Sequence, residues 1–354
     1  MNLKTSAAAI AIAFAAAIAP AGNASDTKTE NDMDTQDLTF KVADNVRKEK
    51  VHFKNRFGIR LTGDIYLPAG HDDSEKLPAI AVCGPFGAVK EQASGYWANM
   101  LASQGFIALA FDPSFTGESG GEPRYVSSPD INTEDFSAAV DYLSSRHDVD
   151  NGRIGIAGIC GWGGISLNAA AIDTRIKAVM PVTMYDMHRV TANGYFDTDD
   201  SAEARRNLKD RLNAQRNDDF AAAEYRLAGG LPDRRPAEPQ FFADYWDYYK
   251  TDRGYARNSL NSNNGWNTTS ALSWVNTPIL AYAGEITAPV MLLHGEKAHS
   301  RYFSEDAFKL LKGDNKQLVI VPGASHCDLY DGGISHDMIP WETVISFFTD
   351  NLVK

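Results

Sequence analysis

The stretch Arg153-Ile-Gly-Ile-Ala-Gly-Ile-Cys-Gly-Trp-Gly-Gly-Ile165 constrains this chain more than any other. Ile154 and Ile156, with small residues between them, read as a short buried strand. Cys160 follows at once, bracketed by Gly158, Gly161, Gly163 and Gly164, and a helical segment runs from Ile165 to Ile172. The thiol therefore stands at the tip of a turn too tight for side chains on its neighbours. A cysteine that only fills a core needs no such glycines, so Cys160 is a candidate nucleophile. The rest of the chain must then supply a base, donors for an oxyanion, and a sheet to hold them.

Read in order, Val51 to Phe53 and Ile59 to Leu67 are expected as two antiparallel strands around the Asn55-Arg-Phe-Gly58 turn. Leu77 to Cys83 is a fully apolar strand ending in Gly84-Pro-Phe-Gly87, with a helix expected from about Lys90 to Ser103. Phe106 to Phe111 is the next strand. A glycine-rich loop, Thr116 to Pro123, leads to a helix over Thr133 to Ser145, capped by Asn132 or Thr133. After the Cys160 unit comes the strand Ile176 to Val182. Short apolar strands alternating with helices imply a mostly parallel sheet with helices on both faces. That rhythm stops between about 185 and 285, where a charged helix (Ser201 to Ala228), an aromatic run (Phe241 to Tyr249) and an Asn/Ser-rich stretch (Asn258 to Ser270) are read as a helical cap insertion. It resumes with Pro289 to His294, a helix Ser304 to Leu311, a strand Gln317 to Val321 and a last helix Pro340 to Leu352.

Lys4, the apolar run Ala7 to Ile18 and the small residues up to Ala24 describe an export signal, so residues 1–24 are expected to be removed and the protein to be periplasmic or secreted. Residues 25–47 are expected as a flexible lead-in, and 48–354 as one domain carrying the cap. No second apolar run reaches spanning length, so no membrane span is expected in the mature protein. A net charge of −12 without a basic cluster excludes nucleic acid as a partner. Cys83, Cys160 and Cys327 are too few for a disulfide framework, and no Cys/His cluster has metal-ligand spacing. Neither cofactor nor metal is expected, and the partner is a small-molecule substrate.

A thiol becomes a good nucleophile when it ionises, which a helix amino terminus and a neighbouring imidazole both favour. His326, carried to the carboxyl edge of the sheet by Val319-Ile-Val-Pro-Gly-Ala-Ser-His326, is the candidate base, ahead of His294, His299 and His336. A carboxylate should orient that imidazole. At its usual place, in His294-Gly-Glu-Lys-Ala-His-Ser300, Ala298 stands where an aspartate is expected. Glu296 is close but offset, and Asp186, past the strand Ile176 to Val182, is the alternative. The oxyanion donors are the amides of Gly161 and Phe86, since Pro85 has none to offer. Trp162 beside the nucleophile and Tyr245, Trp246, Tyr248 and Tyr249 of the cap are candidate substrate-binding residues. Cys83 and Cys327 are expected close enough to Cys160 to raise the possibility of a redox switch.

Gly-Ile-Cys-Gly-Trp-Gly-Gly164, Gly84-Pro-Phe-Gly-Ala-Val-Lys-Glu-Gln92, Gly117-Glu-Ser-Gly-Gly-Glu-Pro-Arg124 and Gly323-Ala-Ser-His-Cys-Asp-Leu-Tyr330 together resemble the dienelactone hydrolase-like α/β-hydrolases, in the branch overlapping the X-Pro dipeptidyl-peptidase-like hydrolases. The resemblance covers about Lys48 to Lys354. It implies the α/β-hydrolase fold and a Cys/Ser–His–acid hydrolase, with Cys160 and His326 at the matching positions. Two departures stand out: Trp162 where the motif's last glycine belongs, and Ala298 where its acid belongs. The expected function is hydrolysis of an ester, lactone, thioester or amide through an acyl-cysteine. An acyltransferase on the same scaffold and a non-hydrolytic ligand-binding protein are the alternatives.

Overall fold

In a computed structural model, residues 38–353 are described, position 73 excepted. The expected leader, 1–24, lies outside the described residues, as does most of the lead-in. The remainder of that lead-in is tied down rather than loose. The Thr39 amide donates to Glu91 O at 3.0 Å and the Ala43 amide to Asn99 Oδ1 at 2.9 Å.

Eight strands form a single sheet: β1 (Val46–Lys54), β2 (Arg60–Pro68), β3 (Leu77–Cys83), β4 (Ile107–Phe111), β5 (Val149–Ile159), β6 (Ile176–Val182), β7 (Val290–Gly295) and β8 (Lys316–Val321). Their order across the sheet is β1-β2-β4-β3-β5-β6-β7-β8. Only β2 runs against its neighbours; from β4 to β8 every pairing is parallel. Helices α1 (Ala93–Ala102), α2 (Pro129–Ser145), α3 (Gly161–Ile172), α8 (Arg301–Leu310) and α10 (Trp341–Leu352) alternate with these strands, and the short α9 (Asp328–Asp331) follows β8. This is the α/β-hydrolase fold the sequence led us to expect. Strands β3 to β6 are buried almost throughout, which is why they read as continuous apolar runs rather than as alternating ones. One expectation fails at α2. Its cap is Ser128, whose Oγ accepts from the Ile131 amide, and Pro129 supplies a first-turn φ that needs no donor.

The cap lies between β6 and β7 and holds α4 (Met187–Asn193), α5 (Ala202–Ala222), α6 (Gln240–Tyr249) and α7 (Ala271–Val275). Helix α5 buries only Leu212 and Asp219 and stands on the surface. The rest of the insertion is continuous with the main core through Tyr248, Tyr249, Leu260, Trp266, Trp274 and Ile279, so it is no separate domain. Its Asn/Ser-rich stretch clamps the loop after β3. Asn261 donates through Nδ2 to Phe86 O at 2.8 Å and Ser259 through Oγ to Gly87 O at 3.0 Å. Among the described residues no helix is long and apolar enough to cross a membrane.

Candidate active site

The parallel strands end along one edge, and that edge gathers the loop after β3, Cys160 after β5, Thr183 after β6, Ser300 beyond β7 and His326 beyond β8. Cys160 caps α3 with φ 61° and ψ −126°, a left-handed backbone that costs a non-glycine residue about 1–3 kcal/mol. The surroundings hold it there. Its amide donates to Val182 O at 2.9 Å, and its carbonyl accepts from Gly163 and Tyr185, both at 2.9 Å. A Cβ on Gly158 would lie 2.1 Å from Trp162 O, so the elbow closes only with glycine at that position.

The Trp162 departure has a packing explanation. Its indole is 1 % exposed and turns away from the cleft, into the core against Phe136 (centroids 5.4 Å apart) and Phe111 (6.1 Å). The glycine is needed one residue later, where a Cβ on Gly163 would meet Met184 Cβ at 2.4 Å. Trp162 is thus a core residue, not the substrate-binding one expected.

Burial pushes the Cys160 thiol up, while hydrogen bonds from the Tyr330 hydroxyl and from the Phe86 and Gly161 amides pull it down. The two expected oxyanion donors are thus among the groups that favour the thiolate. Above them, Phe86 packs on Trp266 at 4.4 Å, roofing the loop with the cap.

His326 is 1 % exposed, and its Nε2 lies 3.0 Å from the Tyr330 hydroxyl. That hydroxyl thus bridges the imidazole and the thiol. The other ring nitrogen corrects the sequence reading. Nδ1 meets Ser300 Oγ at 2.6 Å and Thr183 Oγ1 at 2.9 Å, and no carboxylate among the described residues bonds to it. Glu296 is exposed and accepts instead from the Gly323 amide at 2.8 Å, bracing the loop that leads to His326. Asp186 accepts from the Arg189 amide at 3.0 Å and caps α4. Each carboxylate is consumed by backbone donors. Burial holds the His326 imidazole well below its usual range, and His299 and His294 push the same way. Thiol and imidazole both rest neutral.

Helix α6 divides the aromatic candidates by periodicity. Phe241, Tyr245 and Tyr249, four residues apart, share one face. The Tyr245 ring lies 5.4 Å from His326, and Tyr249 6.2 Å from Tyr330. Trp246 points elsewhere and donates to Pro232 O at 3.0 Å, within the cap, so it leaves the set of expected substrate contacts. Tyr248 packs on Tyr330 at 5.0 Å. Of the rival histidines, His299 joins the site, stacked on Phe241 at 4.0 Å and bonded to the Tyr185 hydroxyl. His336 bonds to Asp331 O. Tyr330, Ser300, Thr183 and Tyr185 escaped the sequence reading. Only Tyr330 left a signal there, four residues after His326 in a helical turn.

All three cysteines are free and buried, and the Cys83 thiol donates to Phe111 O at 3.4 Å. Among the described residues, Glu91, Asp112 and Glu118 are close enough to share an ion. The Lys90 ammonium already fills that cluster, reaching Asp112 at 3.3 Å and Glu118 at 2.5 Å and also bonding Glu91, so the chain supplies its own cation.

PA2218 of Pseudomonas aeruginosa, an uncharacterized protein, is 50% identical over 317 residues, covering 89% of this chain and 84% of its own. Its crystal structure superposes with a TM-score of 0.87 at 48% identity, over 92% of this chain and 100% of that one. The α/β-hydrolase GrgF from Penicillium sp. sh18 shares the fold, with a TM-score of 0.71 at 20% identity over 87% of this chain and 100% of that one. Two fungal proteins match more narrowly. Thiohydrolase aneE of Aspergillus aculeatus is 32% identical over 133 residues, 38% of this chain and 40% of its own. Acyltransferase drtE of Aspergillus calidoustus is 29% identical over 138 residues, 39% and 43% respectively. The family model for X-Pro dipeptidyl-peptidase (S15 family) matches residues 58–328, an interval that holds the β3 loop, the elbow, the cap and His326. The chain therefore belongs to the X-Pro dipeptidyl-peptidase (S15) family, in the α/β-hydrolase fold.

Proposed function

We propose that this protein hydrolyses an ester, lactone, thioester or amide through an acyl-Cys160 intermediate. The observation that carries the reading is Cys160 itself: a non-glycine residue held in a left-handed conformation, its sulfur within reach of two backbone amides and of a phenol that also contacts His326. The thiol proton passes to His326 Nε2 as the sulfur attacks the carbonyl carbon. The Phe86 and Gly161 amides hold the developing oxyanion. His326 returns the proton to the leaving group, then deprotonates the water that cleaves the thioester. Tyr245 and Tyr249 wall the acyl site.

The test is intact mass after exposure to a panel of aryl esters such as p-nitrophenyl acetate, lactones, thioesters and aminoacyl amides. An acyl adduct on Cys160 is expected, absent in Cys160→Ala; turnover surviving in Cys160→Ala would sink the mechanism. Acyl transfer to an alcohol or amine is the second reading, favoured by burial of Cys160 and His326 away from water and by the acyltransferase among the relatives. Product analysis with a competing acceptor separates the two. We further propose that the protein acts outside the cytoplasm, as residues 1–24 imply. Recovery of the unprocessed chain from the cytoplasmic fraction alone would argue against export.

A further inference from the structure

Behind His326 lies a chain of hydrogen bonds built without any carboxylate. Ser300 Oγ meets His326 Nδ1 at 2.6 Å and His294 Nε2 at 3.0 Å, and His294 Nδ1 meets Ser304 Oγ at 2.6 Å. All four residues are essentially inaccessible to solvent. Thr183 adds a second hydroxyl to the same nitrogen at 2.9 Å, from a backbone with φ 41°. That is a costly conformation for a β-branched residue, of the kind retained where surrounding structure demands it. The groups facing His326 are the tyrosines Tyr185, Tyr245 and Tyr330 and the imidazoles of His294 and His299, none of them anionic at neutral pH.

We propose that Ser300, backed by His294, is the positioning residue of His326, standing in for the missing carboxylate and fixing the tautomer whose Nε2 accepts the thiol proton. The proposal rests on the acyl-Cys160 reading for the identity of that base. Once Nε2 is the acceptor, as the acyl-Cys160 reading requires, valence sets the direction of the chain. For Nε2 to accept, Nδ1 must carry the hydrogen and donate to Ser300. The Ser300 hydroxyl then donates to His294 Nε2, and His294 Nδ1–H donates to Ser304. Each link uses one donor and one acceptor. The relay orients the imidazole as a carboxylate would, but carries no charge to stabilise the imidazolium. Thiolate formation is thus left to the moment when substrate and oxyanion donors engage.

The experiment combines imidazole 15N–1H correlation spectra with p-nitrophenyl acetate kinetics and the pH profile of Cys160 alkylation by iodoacetamide, followed by peptide mass mapping. In the wild type, His326 is expected as a single Nδ1–H tautomer. Ser300→Ala, a small truncation in a buried position, should give mixed tautomers and about tenfold lower kcat at unchanged KM. Ser300→Asp supplies the charge, and should speed Cys160 alkylation about tenfold or more near pH 6.5 by stabilising an imidazolium–thiolate pair. A wild-type Nε2–H tautomer, or Ser300→Ala with the wild-type tautomer and kcat, overturns the proposal. These two readouts decide the matter even where Ser300→Asp does not fold. Failure of the acyl-Cys160 reading would show separately, as turnover by Cys160→Ala.

Discussion

Truncating Trp162 separates a core role from a substrate-binding one. The indole is 1 % exposed and wedged between Phe136 on α2 and Phe111 on β4. Burying an aromatic of this size removes about 150–250 Å² from water, roughly 4–6 kcal/mol at about 25 cal/mol per Å². Against that stands Trp162 Nε1, buried with no hydrogen-bond partner among the described residues, which costs about 1–3 kcal/mol. Trp162→Ala should therefore destabilise by about 3–5 kcal/mol. For a domain of this size that corresponds to a Tm lower by roughly 6–15 °C. Trp162→Phe keeps most of the ring and discards the orphan N–H, so its Tm should stay within about 3 °C of the wild type. Thermal and urea denaturation measure both, and p-nitrophenyl acetate kinetics at a temperature where each variant is folded complete the test. KM should be unchanged in Trp162→Phe. A Trp162→Ala protein as stable as the wild type, with a raised KM, would refute the packing argument and return Trp162 to the substrate site.

Three further outcomes follow from the charges. With the Cys160 thiol raised by burial and no imidazolium to hold a thiolate, alkylation by iodoacetamide should climb about tenfold per pH unit from about pH 6 to 8, with no plateau near neutrality; a flat profile there would contradict the neutral resting pair. Lys90→Met strands Glu91, Asp112 and Glu118, and should cost about 3–5 kcal/mol at pH 7 in urea denaturation. Burial raises Glu118, but Lys90 and Lys50 bring it down to about 2, so its favourable contribution is present above its unfolded pKa and fades below; the part of the deficit due to Glu118 should narrow below about pH 5 as that carboxyl protonates. Arg253→Met breaks the paired bonds to Asp331 (2.6 and 2.8 Å) and the one to Cys327 O (3.1 Å) that tie the cap to the His326 loop. A loss of about 2–4 kcal/mol is expected, with faster amide exchange over residues 326–331.

Much of this architecture was legible because it is written in local pattern. The strands Leu77–Cys83 and Ile176–Val182 were bounded correctly from apolar runs alone, since strands buried on both faces admit nothing else. Glycines around Cys160 marked the elbow because each records a contact that a Cβ would break, as Gly158 does against Trp162 O. The Pro-Gly loop before His326 marked it for the sheet edge where Cys160 also stands. Where the reading failed, the deciding contact was one that spacing does not announce, local for Asp186 and distant for Glu296. Glu296 and Asp186 looked equivalent to a catalytic carboxylate until their backbone donors, at Gly323 and Arg189, were in place. Trp162 and Trp246 looked like pocket walls until the orientations of α3 and α6 turned both away.

The sequence by itself determined a mostly parallel sheet, a strained cysteine elbow, the glycine-bounded loop after β3 and a histidine at the sheet edge. Each depends on short-range sterics or on a hydrophobic period that a few neighbouring residues carry. The tertiary structure alone decided what stands behind the histidine. Hydrogen bonds act over about 3 Å and are indifferent to chain distance, so Thr183 beyond β6, His294 on β7, and Ser300 and Ser304 at the start of α8 could occupy a place that spacing reserves for an acid.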